Sequence, residues 1–426
     1  GNPPASDLRK PMKNKRRRAT AAKGENLWDK KRLAGCSGDF RRMTGRKPTH
    51  AFSSPGRTEL GGNHTDHNRG KVLAASIDLD MLAAVAPRSD STIRIFSEGF
   101  HDPFIVETGD WGIHPEERGT SAALIRGTVA EFIRQGGNVG GFDAWVTSRV
   151  GVGSGLSSSA CFEVLVGSIL NTLYNSGRIS RVQLAFSGQA AENVHFGKPC
   201  GLMDQITCSV GGTLRIDFRD PSNPDIKRVD FDPQKFGFDL VVVNTGSTHE
   251  DLTGDYAAIP NEMRSVARFL GVEYCRDVDV DLFLDRLPDI RANCGDRAAL
   301  RCMHFFAENN RVEKQFKALK QKRFSEFLNL VQQSGDSSMK YLQNIFPTGQ
   351  PRNQNLALAL AQTDRFLSRY GEGAYRVHGG GFAGTIQAYI PTHAKGAYRR
   401  VMSALFGENS VQTLIPRVTG VESRVL

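Results

Sequence analysis

Val150-Gly151-Val152-Gly153-Ser154-Gly155-Leu156-Ser157-Ser158-Ser159-Ala160 is the stretch around which the rest of the chain is organised. Its three glycines allow tight turns and a close backbone approach to a ligand. Its four serines add hydroxyls, and Ala160 to Leu170 continues as an apolar helix. The loop therefore opens onto a helix N-terminus, where unpaired N–H groups and the helix dipole favour an anion such as phosphate. A Ser-capped strand-to-helix turn has the same local signature. No Gly-Lys-Ser/Thr follows the glycines, so the P-loop lysine is missing. Ser158 or Ser159 stands where a dinucleotide fingerprint needs its third glycine. If nucleotide phosphate binds here, backbone amides and hydroxyls hold it.

The chain has 426 residues, enough for two or more domains. It is 39% hydrophobic and no apolar run is long enough to span a bilayer, which predicts a protein without membrane association. The seven cysteines are scattered and contain no Cys-x-x-Cys, the usage of free thiols in a reducing cytoplasm. The net charge of +10 is concentrated at one end. Residues 1–33 hold eleven Lys/Arg against three Asp/Glu, which leaves the other 393 residues at only +2. With Pro3-Pro4, the run Lys13 to Arg18 and almost no large hydrophobes, residues 1–33 are expected to be a disordered basic tail. Any nucleic-acid contact is confined to that tail, and a monomer is expected.

Order is expected to begin near His50. Short strands are predicted at Ala51–Ser54, turned by Pro55-Gly56, and at Lys71–Ile77, Met81–Pro87, Thr92–Phe96 and Phe104–Glu107. A helix over 121–135 and a strand over 142–149 lead into the loop. A helix over 181–196, strands at 211–218 and 240–244, and a helix over 259–270 follow. A long helical region from Asp296 to Ile345 is broken near Lys322. A helix over 354–369 and strands at 374–377, 385–390 and 412–415 complete an α+β pattern that suits two lobes.

Three further segments concentrate chemistry. Pro55-Gly56-Arg57-Thr58-Glu59-Leu60-Gly61-Gly62-Asn63-His64-Thr65-Asp66-His67-Asn68 packs an arginine, acids and two histidines among glycines, as a polar surface loop or as a site. His64 and His67 lack the third ligand a metal needs. Glu192 ends an apolar helix, and Asp204 follows Pro199-Cys200-Gly201 among apolar neighbours, as a helix cap or a working acid–base group. His378-Gly379-Gly380-Gly381-Phe382-Ala383-Gly384 lies between two strands and allows close backbone approach, as a flexible hairpin would.

Taken in order, Pro-Gly-Arg…His-Thr-Asp, Gly-Leu-Ser-Ser-Ser-Ala, Cys-Gly-x-Met-Asp-Gln and Gly-Gly-Gly-Phe-x-Gly resemble the galactokinase branch of the GHMP small-molecule kinases. The resemblance runs from about Phe52 to the last strand. It implies a two-lobed α+β fold, with an N-terminal lobe like ribosomal protein S5 domain 2 over 48–220 and a ferredoxin-like C-terminal lobe over 221–426. ATP and sugar would meet in the cleft. Gly153, Ser154, Gly155, Leu156, Ser157, Ser158 and Ser159 would cradle the phosphates. Ser159 and Glu192 would be the Mg²⁺ partners. Asp204 would face the sugar C1 hydroxyl with Arg57 as its cationic neighbour. Asn63, His64, Asp66, Gly201 and Tyr256 would contact the sugar, with the Gly379–Gly384 loop behind them. The implied function is ATP-dependent phosphorylation of galactose at C1 in the cytoplasm.

The sequence leaves the family pattern at three positions. Asn63 replaces the Glu of Glu-His-Thr-Asp, which faces the C6 end of the sugar. Glu59 replaces an expected Asn, and Ala383 replaces a glycine. The first departure keeps a kinase for a sugar differing at C2 or C6 as an alternative. A sugar-sensing regulator without turnover is the other, against which Ser157-Ser158-Ser159-Ala160 and Asp204 both stand intact.

Overall fold

The computed structural model describes residues 27–151, 155–246 and 252–426. Twelve strands run through them: β1 (His50–Gly61), β2 (Lys71–Pro87), β3 (Thr92–Ser97), β4 (Phe104–Glu107), β5 (Phe142–Ser148), β6 (Thr213–Asp217), β7 (Asp225–Val229), β8 (Phe238–Asn244), β9 (Ala374–His378), β10 (Thr385–Pro391), β11 (Val411–Leu414) and β12 (Glu422–Val425). The first sheet is ordered β12-β1-β2-β5-β3-β4, with β6 also on β2 and β7 on β6; the second is ordered β11-β8-β10-β9.

Two predicted breaks are not breaks. Pro55-Gly56 does not turn the chain: β1 runs on through it, and the pairing with β2 shifts register between Pro55 and Arg57. A bulge absorbs the proline, which has no N–H to give the ladder, and re-aims the side chain that follows. The two strands expected at 71–77 and 81–87 are the halves of β2. The first half pairs with β6 and the second with β5. Between them the Asp78 N–H donates to Ile415 O at 2.9 Å and the Ile415 N–H to Asp78 Oδ1 at 2.9 Å, so the polar middle is paired from the second half of the chain.

The second lobe follows β8, helix Asn355–Leu367, β9, β10, helix Lys395–Phe406 and β11. That βαββαβ order with β11-β8-β10-β9 in space is the ferredoxin-like arrangement. A helical insertion separates β8 from its first helix; its long members, Asp296–Lys320 and Phe324–Ser337, break at Lys322 with φ 57°. The division at residue 220 does not hold in the sheets, because β7 and β12 both lie in the first. One apolar core runs from Phe52 and Leu165 to Leu240, Phe327 and Tyr389, so both lobes share it.

The expected tail also needs correction. Residues 1–26, with the Lys13–Arg18 run, lie outside the described residues, but a helix spans Lys30–Thr44. Asp29 caps it by accepting from the Arg32 N–H at 2.8 Å, and left-handed Gly45 ends it. Cys36 and Phe40 pack with Leu82, Ala84 and Ala86 against the sheet. Arg32 pairs with buried Asp80. Only two buried apolar residues, one helical turn apart, carry this packing, so the apolar periodicity is too sparse to announce it.

Candidate active site between the two sheets

The bulge in β1 sends Arg57 inward. Its Nε donates to Asp204 Oδ1 at 2.7 Å and its Nη2 to Asp204 Oδ2 at 2.9 Å. Its Nη1 donates to Gly155 O at 2.6 Å, and its backbone N–H to Leu156 O at 3.2 Å. Asp204 stands in the first turn of helix Met203–Val210 and does not cap it. The Ser157 hydroxyl donates to Asp204 Oδ2. Arg57 is sealed in at 7% exposure, whereas Asp204 keeps 30%, so the carboxylate is the reachable member of the pair. Burial works to raise the Asp204 pKa, but the charge and hydrogen bonds of Arg57, with Ser157, outweigh it and hold the carboxyl below its ordinary range.

Of the glycine-serine loop, Gly155 and Ser157 meet this pair. Gly153 and Ser154 lie outside the described residues. Gly155 has φ 72°, and a Cβ on it would stand 2.6 Å from Thr385 Oγ1 of β10, so only glycine fits. The Leu156 side chain is buried in the core, leaving its backbone as its contribution. Ser157 holds a left-handed conformation (φ 61°, ψ 60°) and makes no side-chain cap on helix Ser158–Tyr174. Its hydroxyl is turned to Asp204 instead, and the first amides of the helix have no intrahelical partner. Ser159 Oγ donates to Glu192 Oε1 at 3.2 Å. Glu192 sits in a π-helical turn, Ala191–Phe196, of the kind that gathers at functional sites.

Beneath Glu192 lies an acid the sequence reading missed. Gln205 Nε2 donates to Glu192 Oε2 and to Glu163 Oε2, each at 3.0 Å. Glu163 is fully buried, and its Oε1 has no hydrogen-bond partner among the described residues. Burial, then repulsion from Glu192, pushes Glu163 well above the carboxyl range.

The second predicted cluster gathers on the glycine hairpin between β9 and β10. Asn63 Nδ2 donates to Gly379 O at 2.7 Å, His64 Nε2 to Gly380 O at 2.8 Å and Tyr256 OH to Gly381 O at 2.7 Å. His64 (φ 56°) and Phe382 (φ 59°) both carry the positive φ that costs a non-glycine residue ~1–3 kcal/mol and persists where surroundings dictate it. Burial lowers the His64 pKa to about 3 despite its hydrogen bond to Gly380, so the ring is neutral. Asp66 accepts from the His67 N–H at 3.0 Å, and a Cβ on Gly201 would stand 1.8 Å from Asp66 Oδ2. Those two predicted sugar contacts therefore touch.

Behind the cluster lies a buried network with no sequence signal, because its partners are some 300 residues apart. Arg376 Nη2 pairs with Glu59 Oε1 at 2.5 Å. His378 Nε2 lies 3.0 Å from Thr58 Oγ1, and its Nδ1 lies 3.0 Å from Thr385 Oγ1. Asn63 is wholly buried in this network, not open to the cleft.

Known proteins with this geometry are informative. A family model described as the galactokinase galactose-binding signature matches residues 38–87, and one described as the GHMP kinases N terminal domain matches 123–212. A galactokinase of Glaesserella parasuis is 30% identical over 374 residues, 85% of this chain and 91% of that one. One of Actinobacillus pleuropneumoniae is 30% identical with the same coverage. The structure of Lactococcus lactis galactokinase complexed with galactose shares the fold with a TM-score of 0.78 at 22% identity, over 92% of this chain and 99% of that one. Methanococcus jannaschii mevalonate kinase shares it with a TM-score of 0.61 at 14% identity, over 87% and 99% of the two chains.

Proposed function

The chain belongs to the galactokinase family, and from that premise we propose how it works as a sugar kinase, transferring the terminal phosphoryl group of ATP to the C1 hydroxyl of galactose. The observation that carries the reading is the single hydrogen-bonded unit of Arg57, Asp204, Gly155 and Ser157. It joins the acid that would meet the sugar hydroxyl to the loop that would hold the phosphates.

Phosphoryl transfer asks a protein for positioning and charge stabilisation more than for covalent chemistry. Asp204, ionised and reachable, accepts the hydroxyl's hydrogen and orients its oxygen. The same Arg57 that keeps it ionised makes it a weak base, so proton transfer comes late, once the oxygen has begun to bond to phosphorus. Arg57 offsets charge on the transferring group, and amides at the start of helix Ser158–Tyr174 offset charge on the phosphates. His64, Asp66, Gly201 and Tyr256 frame the rest of the sugar.

Ser159 and Glu192 would hold Mg²⁺. Hydroxyl and carboxylate oxygens suit this hard cation, which keeps several waters and binds mainly through substrate phosphates. Glu163, its carboxyl pushed up by burial and by Glu192, shares the Gln205 amide with Glu192 and so holds that carboxylate from behind. When bound, the ion would neutralise phosphate charge and fix the geometry of the chain.

No helix among the described residues is long and apolar enough to cross a membrane, and all seven cysteines are free thiols. The free thiols support a cytoplasmic enzyme, which we propose acts as a monomer. Asp204→Asn tests the assignment, because it keeps the shape of the side chain and removes its charge. Turnover should fall steeply while sugar binding persists; near-normal turnover would remove Asp204 from the reaction.

A further inference from the structure

Asn63 was expected to meet the C6 end of the sugar, yet every hydrogen-bonding position of its amide is taken inside the protein. Nδ2 donates to Glu59 Oε1 at 3.0 Å and to Gly379 O at 2.7 Å. Oδ1 accepts from Ser338 Oγ at 3.2 Å and from Asn344 Nδ2 at 2.9 Å. Two donors and two acceptor sites are all that an amide has. The side chain is 0% exposed, as are those of Ser338 and Asn344. Glu59 is 3% exposed and is held by Arg376, whose Nη1 also donates to Glu59 O at 3.1 Å.

Positions 59 and 63 touch each other, and both depart from the pattern the resemblance implies, an acid standing for an amide at 59 and an amide for an acid at 63. The consequence for each alone follows from charge. A carboxylate at 63 beside an unchanged Glu59 would set two acids together and two acceptors against Gly379 O. An amide at 59 beside an unchanged Asn63 would leave Arg376 buried without its counter-charge. Exchanging both relieves the acid–acid contact and keeps a donor facing an acceptor between 59 and 63, but it leaves Gly379 O against a carboxylate and Arg376 beside an amide.

We propose that Glu59 and Asn63 are a coupled pair of positioning residues, which fix the sugar-facing loop on the glycine hairpin, and that Asn63 does not itself contact the sugar. Asn63, His64 and Tyr256 latch three successive hairpin carbonyls, so the register of Asn63 sets where His64 and Asp66 stand. The inference rests on the sugar-kinase reading for its choice of ligand.

The test is a cycle of full-length proteins: wild type, Glu59→Asn, Asn63→Glu and the double variant. Sugar affinity is measured by calorimetry, and KM and kcat are measured on galactose and 6-deoxygalactose. Each single variant should weaken both sugars by the same factor, about tenfold or more for a disrupted buried network. The double variant should lose less than the two single losses added together, because the contact between 59 and 63 is restored while those to Gly379 and Arg376 are not, with KM moving more than kcat throughout. Losses that simply add in the double variant would overturn the coupling. An altered galactose to 6-deoxygalactose ratio in Asn63→Glu would overturn the claim that Asn63 stands back from the sugar. If a single variant does not fold, Ser338→Ala decides the matter, since it removes only one donor to Asn63 Oδ1. An equal rise in KM for both sugars supports the proposal, and an unchanged KM overturns it. Absence of wild-type turnover on galactose would count against the kinase reading alone, because the calorimetric cycle still reports the coupling.

Discussion

At the scale of residues, Arg57 and Asp204 set the terms of the reaction together. Replacing Asp204 by Asn should lower turnover by ~10²–10⁴-fold, the usual range for a general acid–base group, with sugar affinity by calorimetry little changed. The Arg57 guanidinium is what holds Asp204 below the ordinary carboxyl range against its own burial. Wild-type activity should therefore not fall on account of Asp204 until the pH drops beneath that range. In Arg57→Met, burial is left to act, the Asp204 pKa rises, and the acid limb of the kcat/KM profile should move to higher pH. An acid limb that stays in place would show that another group sets it. Gly201→Ala is a third probe. Its methyl would meet Asp66 Oδ2, so KM for the sugar should rise while kcat changes less. Steady-state kinetics showing an unaltered KM would separate Gly201 and Asp66 from the sugar.

At the scale of elements, helix Lys30–Thr44 is the part of the fold that the sequence conceals. Phe40 is fully buried against β2, so Phe40→Ala should cost ~3–5 kcal/mol in denaturant unfolding. A loss under ~1 kcal/mol would mean the helix is loosely held. The helix hides because its face is two residues wide and its remaining surface is polar. By contrast, the glycine-serine loop, the Asp204 turn and the glycine hairpin could be read from the sequence, because each needs unusual residue types in a row. Pro55-Gly56 was visible but ambiguous: the same pair makes a turn or, when a partner strand continues past it, a bulge. The Glu59–Arg376 pair and the burial of Asn63 could not be read, since they depend on β9 returning to β1 across more than 300 residues. Family pattern alone placed Asn63 against the sugar. The competing demand was satisfaction of a buried amide, which the structure meets with four partners.

At the scale of the molecule, three histidines at the junction of the lobes are held neutral. Burial lowers the pKa of His64 to about 3, and lowers those of His304 and His378 as well. The unfolded chain, with histidines near 6.5, binds more protons than the folded chain below that pH, so stability is full above about 6.5 and declines as pH falls toward 3. Thermal unfolding between pH 7 and 4 should show this decline, and His378→Gln should flatten part of it; a profile the same in both proteins would exclude His378 as a contributor. These histidines lie where the hairpin, the sugar loop and the insertion helices meet, so one core joins the groups that would bind ATP and sugar. The most direct test of that account is to incubate the full chain with ATP, Mg²⁺ and galactose and locate the phosphate on the product by phosphorus and proton NMR. The account predicts galactose phosphorylated at the anomeric oxygen, with its formation abolished or greatly slowed in Asp204→Asn. Phosphate on any other hydroxyl, or equal product from the Asp204→Asn protein, would contradict it.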